Sequence, residues 1–287
     1  MVVGQNLLSS AFKFRDGQVY LAKSTQALPI RWSRTLPDGC RPSTLSVKLA
    51  PSGRWSVSLL VDVEIEALPK TDNQVGIDLG VTSLLTLSTG EKIANPKGFK
   101  AKYRKLRRAQ KSLSRKQKGS NNRHKARLKV AKVHQEITDA RKDSLHKLTT
   151  RLVCENQTIA VEDLAVKNMV KNPKLALAIS DASWGELVGQ LEYKCKWYSR
   201  TLIKIDRWFP SSKRCGNCGH IVDKMPLNIR EWDCPNCDTH HDRDINAAKN
   251  ILAAGLAVSV CGATVRPEQS KSVKAGAKSP WGTEAET

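Results

Sequence analysis

Apolar and polar positions alternate over residues 45–49 and again over 55–63, on either side of Pro51, Ser52 and Gly53. Period-two alternation marks a strand with one covered face, and a Pro/Ser/Gly turn between two such runs predicts a β-hairpin. Before Arg31 the pattern is poor. Residues 1–70 therefore read as a β-rich unit of which only the later part is clear. Residues 75–80 form a short apolar run that carries Asp78, residues 84–87 a second and 92–94 a third. The turn Ser88-Thr89-Gly90-Glu91 joins the last two, and three antiparallel strands are expected. Residues 158–161 predict a buried strand ending at Glu162 and Asp163, and residues 202–205 another ending at Asp206.

A period near 3.6 takes over elsewhere. Tyr103, Leu106 and Leu113 give a thin stripe. After the break at Gly119-Ser120-Asn121-Asn122, a second stripe runs through Val130, Val133, Ile137, Ala140, Leu145, Leu148 and Leu152. A helical hairpin over 97–153 follows from this. Residues 182–199 predict a helix with Trp184, Leu187, Leu191 and Cys195 on one side. Residues 244–255 predict another, ended by Gly255. Beyond Pro267 the chain is Lys, Ser, Gly and Ala, and a disordered tail over 267–287 is expected.

Charge changes the picture most. The net charge is +21 in 287 residues, which points to a polyanion as partner, since each neutralised phosphate releases counterions. Residues 97–132 hold ten Lys, six Arg and no acid. A solvated helix face would ordinarily balance such a run, so this one is assigned to nucleic acid. The candidate contacts are Lys102, Arg104, Lys105, Arg107, Arg108, Lys111, Arg115, Lys116, Lys118, Arg123, Lys125 and Arg127, with Lys213 and Arg214 elsewhere. The longest apolar stretch, residues 251–265, is broken by Gly255 and Gly262, so no membrane span is expected. With no signal-peptide pattern at the start, a cytoplasmic location is expected.

Cys215 and Cys218, then Cys234 and Cys237, form two C-x-x-C knuckles fifteen residues apart. Four thiolates close a tetrahedral zinc site with no open position, so one structural Zn²⁺ is expected. Cys40, Cys154, Cys195 and Cys261 stand alone and read as reduced thiols. Three acids sit where buried elements begin or end: Asp78, Glu162 and Asp244. Crowded carboxylates repel unless divalent cations lie among them, and two Mg²⁺ or Mn²⁺ ions held this way hydrolyse phosphodiesters. On the residues alone, Asp163 competes with Glu162 and Asp242 with Asp244. A Gly-Ile-Asp-Leu-Gly strand also occurs in sugar-kinase-type ATPases, but no second Asp-Gly phosphate strand is visible here, and the charge and cysteines would go unexplained.

Taken together, VGIDLG (75–80), AVEDL (160–164), FPSSKRCGNCG (209–219), WDCPNC (232–237) and HDRDINAAKNI (241–251) resemble the TnpB (OrfB) family of transposon-encoded nucleases. The resemblance implies an α/β, ribonuclease-H-like (RuvC) mixed sheet with a basic helical-hairpin insertion, an inserted zinc ribbon and a partial N-terminal β-barrel (wedge) domain. Its divisions are 1–70 for the wedge part, 71–210 for the nuclease domain, 211–238 for the ribbon and 239–266 for the final helix. It selects Asp78, Glu162 and Asp244 as catalytic acids. It implies Mg-dependent cleavage of DNA chosen by a guide RNA from the transposon end, with DNA and that RNA as partners. The family also carries further barrel and a recognition domain ahead of the matched part, so a cleavage-deficient RNA- and DNA-binding remnant is the alternative expectation.

Overall fold

The computed structural model describes residues 3–36, 39–95, 98–173, 175–226 and 228–260. Cys261 and the expected tail 267–287 lie outside the described residues.

The first module is all β. Strands β1 (Val3–Leu8), β4 (Thr44–Leu49) and β5 (Trp55–Leu60) form an antiparallel sheet with β4 central; β2 (Phe12–Arg15) and β3 (Gln18–Leu21) form a separate hairpin. The expected hairpin at Pro51-Ser52-Gly53 is β4–β5, though β5 stops at Leu60 and not at Val63. Where the hydropathy pattern was poor, three strands are present. Asp16 and Gly17 both have positive φ, 52° and 71°, the backbone of a tight two-residue hairpin turn. Phe12, Val19 and Leu45 form the small core beneath.

The second module is a mixed sheet, in order β10-β9-β6-β7-β8. Strands β6 (Gln74–Leu79), β7 (Ser83–Leu87) and β8 (Lys92–Ala94) make the expected antiparallel meander. Helices α1 (Gly98–Ser114) and α2 (Asn121–Glu155) form the helical hairpin. Leu106, Val133 and Ile137 are buried between them, whereas Ala140 of the expected stripe is exposed. Strand β9 (Thr158–Glu162) then runs parallel to β6, pairing Val75 with Ile159 and Ile77 with Val161.

After β9 come two short helices, α3 (Val166–Met169) and α4 (Ala176–Ala182), then α5 (Trp184–Trp197) and β10 (Thr201–Ile205), parallel to β9. The helix expected over 182–199 is α5, which begins at Trp184 and ends at Trp197; Ser183 takes φ 52° and separates it from α4, which was not expected. Strands β11 (Glu231–Asp233) and β12 (His240–Asp242) form a small ribbon, and α6 (Arg243–Val260) follows at once. Helix α6 runs straight through Gly255, which does not end it. A Cβ there would lie 2.8 Å from the Ala160 Cβ, so this glycine permits close packing on the sheet.

The two faces of the sheet divide by strand alternation. Val75, Ile77, Ile159 and Val161 point into the main core with Leu145, Leu152 and Val153 of α2 and Leu187 and Leu191 of α5. The alternate positions Gly76, Asp78, Ala160 and Glu162 lie on the face covered by α6, where Ala160, Ile205 and Ile251 are buried together. This second face is lined by small residues at one end and by carboxylates at the other.

Candidate active site and metal centre

Asp78 and Glu162 emerge on that face from neighbouring strands, and Asp244 comes to them from the first turn of α6. All three are half-buried. Burial first, then the charges of Glu162 and Asp244, push the Asp78 carboxyl up to about 7; Arg243 and Arg230 pull the other way. Burial also raises Glu162, against the Ser211 hydroxyl, which donates to its Oε1. Arg230 reaches Asp244 Oδ1 at 3.4 Å. Arg243 is buried and donates to the Pro226 carbonyl at 2.9 Å. The charges of Glu162 and Asp244 thus act on Asp78, with arginines at the rim, and carboxylate oxygens are the donor type that a hard divalent cation takes.

The competing acids are occupied elsewhere. Asp242 caps α6: its Oδ1 accepts from the backbone N–H of Asp244 at 3.1 Å and of Ile245 at 3.0 Å, and its Oδ2 pairs with Lys92 at 2.6 Å. Burial alone would raise Asp242, but these partners hold it below the usual carboxylate range. Asp163 pairs with Arg207 at 2.5 Å.

The four cysteines form one cluster, with every pair of Sγ atoms within 4.8 Å. Cys215 and Cys237 stand 3.7 Å apart and Cys218 and Cys234 3.6 Å apart. A tetrahedral zinc with Zn–S bonds of about 2.3 Å has S···S edges of about 3.8 Å, so the cluster fits a zinc-sized ion. His241 sits outside it, with Nε2 3.0 Å from Cys215 Sγ and its ring 4.9 Å from Trp232.

Three residues join the two centres, and their roles were not apparent from the sequence. Asn246 and Asn250 lie one turn apart on α6 and are buried. Asn246 donates to the Arg214 carbonyl at 2.7 Å and accepts from the Gly216 N–H at 2.9 Å. Asn250 donates to the carbonyls of Ser211 at 2.8 Å and Arg214 at 2.6 Å. The segment entering the first cysteine knuckle is therefore fastened to the helix that bears Asp244, and Ser211 touches Glu162 as well. Two asparagines at i, i+4 on an otherwise apolar face were the available signal.

The basic residues divide. Arg104, Arg107, Arg108 and Lys111 line an open groove along α1, and Arg115, Lys116, Lys118, Lys125, Arg127 and Arg214 are exposed. Lys102 and Lys105 both pair with Glu136, at 3.4 and 3.0 Å. Arg123 turns inward and donates to the carbonyls of Leu113 and Lys116, closing the end of α1. Lys213 donates to the Asp223 carbonyl at 2.8 Å.

The family model OrfB_IS605, described as "Probable transposase", matches residues 56–173, and the model of the Cas12f1-like TNB domain matches residues 184–251. A protein of Streptomyces pristinaespiralis named "Putative RNA-guided DNA endonuclease" is 59% identical over 263 residues, which are 92% of this chain and 65% of that protein. The chain is a relative of the OrfB (TnpB) proteins. An Escherichia coli K12 protein, "Putative RNA-guided DNA endonuclease InsQ", is 34% identical over 230 residues, 75% of this chain and 57% of InsQ. The chain thus spans just under two thirds of the length of the first of these curated relatives and less of the second. The fold is similar to that of the protein in a cryo-EM Cas12f1–sgRNA–target DNA complex, with a TM-score of 0.54 and 21% identity over 74% of this chain and 45% of that one. Among the described residues no helix is long and apolar enough to cross a membrane.

Proposed function

We propose that this chain is the nuclease core of a transposon-encoded, RNA-guided DNA endonuclease that cuts with divalent metal ions. The observation that carries the reading is the convergence of Asp78 and Glu162 from neighbouring strands with Asp244 from the first turn of α6; burial first, and then the charges of Glu162 and Asp244, push the Asp78 carboxyl up to about 7. The similarity to named RNA-guided endonucleases and to the Cas12f fold supports it. In this reading the mixed sheet with α6 is a RuvC-like domain, with the basic hairpin and the cysteine ribbon inserted, and residues before about 70 belong to a wedge domain.

The roles divide as follows. Asp78, Glu162 and Asp244 hold two Mg²⁺ or Mn²⁺ ions. Such ions supply an activated water and stabilise the departing oxygen of a phosphodiester. Ser211 orients Glu162, and the cap at Asp242 fixes the first turn of α6 and so the direction of Asp244. Cys215, Cys218, Cys234 and Cys237 hold one Zn²⁺ that takes no part in cutting, because four thiolates leave no position for water. The groove of Arg104, Arg107, Arg108 and Lys111 grips the phosphate backbone, while base pairing to the guide reads sequence.

The test is cleavage of DNA by the protein purified with its bound RNA, in Mg²⁺ or Mn²⁺, beside Asp78→Ala. The expected result is cutting by the native chain and none by the variant, with a discrete transposon-end transcript among the co-purified RNAs. Cutting that survives Asp78→Ala removes the acid from the reaction. Random RNA fragments reduce the chain to a general nucleic-acid binder.

A further inference from the structure

Trp208 is 85% exposed, the most exposed of the large apolar side chains described. Singly exposed apolar side chains are ordinary; what distinguishes Trp208 is a whole indole face left free on a fastened turn. It does not stand on a loose loop. The Trp208 N–H donates to Asp206 Oδ1 at 2.7 Å, and the Phe209 N–H to the Asp206 carbonyl at 3.1 Å. On one side Arg207 is paired with Asp163. On the other, Ser211 touches Glu162 by its hydroxyl and Asn250 by its carbonyl. The turn is therefore fastened at both ends to groups beside the acids, with its one large ring left in solvent. Charged residues flank it in sequence: Asp206 and Arg207 before it, Lys213 and Arg214 after. A lone ring in a charged setting suits a nucleobase better than the apolar centre of a protein interface.

We propose that Trp208 is a stacking platform for a base of single-stranded nucleic acid, holding the strand beside Asp78, Glu162 and Asp244. This rests on the function proposed above and names the form of substrate that the site receives. An unpaired strand offers the face of a base to an indole; within a duplex those faces are taken up by neighbouring base pairs. The rigid turn means that little order has to be imposed on the protein when the strand arrives.

The test is binding of a labelled, short oligothymidylate and of the matching duplex, followed by fluorescence anisotropy in Ca²⁺ over a series of salt concentrations. Stacking of one base on an aromatic ring gives about 1–3 kcal/mol, so Trp208→Ala is expected to weaken single-strand binding by roughly 5- to 150-fold. The slope of log affinity on log salt should stay as in the native chain, because no phosphate contact is lost. Trp208→Phe should keep most of the affinity, and duplex binding should be unchanged in both. Equal single-strand affinity of Trp208→Ala and the native chain, with the native melting temperature, overturns the proposal and leaves the nuclease reading intact. An equal loss on duplex also overturns it. If the native chain binds no oligonucleotide, the nucleic-acid reading falls together with it.

Discussion

A Cβ added to Gly76 would lie 2.1 Å from the carbonyl oxygen of Ala248. No side chain fits there, so β6 and α6 touch backbone to backbone. Asp78 lies two residues along the same face of β6, and Asp244 one turn before Ala248 on α6. The close approach at one end therefore sets the separation of the two acids at the other. Gly76→Ala must push α6 away, and overpacking of this kind costs about 1–3 kcal/mol. The expected outcome is a lower melting temperature and weaker Mn²⁺ binding by electron paramagnetic resonance, with zinc content unchanged. Native Mn²⁺ affinity in that variant would disconnect helix placement from the acid site.

Much of this was legible beforehand. The three-stranded meander, the helical hairpin and the cysteine cluster follow from period, turn residues and spacing. That Glu162 and not Asp163 shares a face with Asp78 had a signal: Gly76 and Ala160 are the small residues of their strands, and Asp78 and Glu162 follow them two residues on. The Asp16-Gly17 hairpin was equally visible as a turn signal but flanks too few apolar positions to stand out by periodicity. Gly255 misled, because a glycine near the end of an apolar helix suits both a terminus and a close contact with a sheet. The boundary at Ser183 had a faint signal, because stepping back from Trp184 by three or four meets Ser180 and Asp181, while α4 buries Ile179 and Ala182. The i, i+4 pair Asn246 and Asn250 marks a polar spot on the apolar face of α6, but which backbone groups it clamps depends on what the fold leaves unpaired there.

Asp78 makes metal-free stability depend on pH with a definite sign. Its folded pKa of about 7 lies above the ordinary 3.8, so the folded chain holds the proton more tightly than the unfolded one. Its contribution is full below about pH 4 and is lost as pH rises towards and through 7. Burial gives Glu162 a shift in the same direction. A bound cation takes the proton's place. The rise in melting temperature on adding Mg²⁺ should therefore be larger at about pH 8 than at about pH 5, and Asp78→Asn should flatten that difference. An equal rise at both values would contradict the shared-cation arrangement.

The asparagine clamp predicts that disturbance at one metal centre reaches the other. Asn250→Ala leaves the Ser211 carbonyl without this donor, at a cost of about 1–3 kcal/mol when nothing replaces it, and leaves the Arg214 carbonyl with Asn246 as its remaining side-chain donor. The variant should keep four thiolates and a full complement of zinc yet bind Mn²⁺ more weakly, and zinc should leave faster to a chelator. Asn250→Asp, which removes the donor but keeps the shape, should behave like the alanine variant. Unchanged Mn²⁺ affinity in both would show that the clamp serves the ribbon alone.

The two classes of arginine in the hairpin should separate experimentally. Arg107→Ala with Arg108→Ala removes two exposed charges, so the salt slope of duplex binding should fall by about 2, from roughly 0.9 counterion per phosphate contact. Arg123→Ala removes the donor to Leu113 and Lys116. It should lower the melting temperature with a smaller change in slope. The reverse pattern would mean that the inward arginine is the one that meets phosphate.

Helix α2 runs unbroken for 35 residues, roughly 50 Å at about 1.5 Å per residue. Its early turns pack against α1 and its late turns enter the main core. It works as a strut of set length and phase, with neither glycine nor proline along it. One residue inserted midway would lengthen it only slightly but swing the cationic side by about 100° relative to the sheet. Natural variation in its length should therefore come in whole pairs of turns, about seven residues at a time, because smaller steps would aim the grip away from the blade.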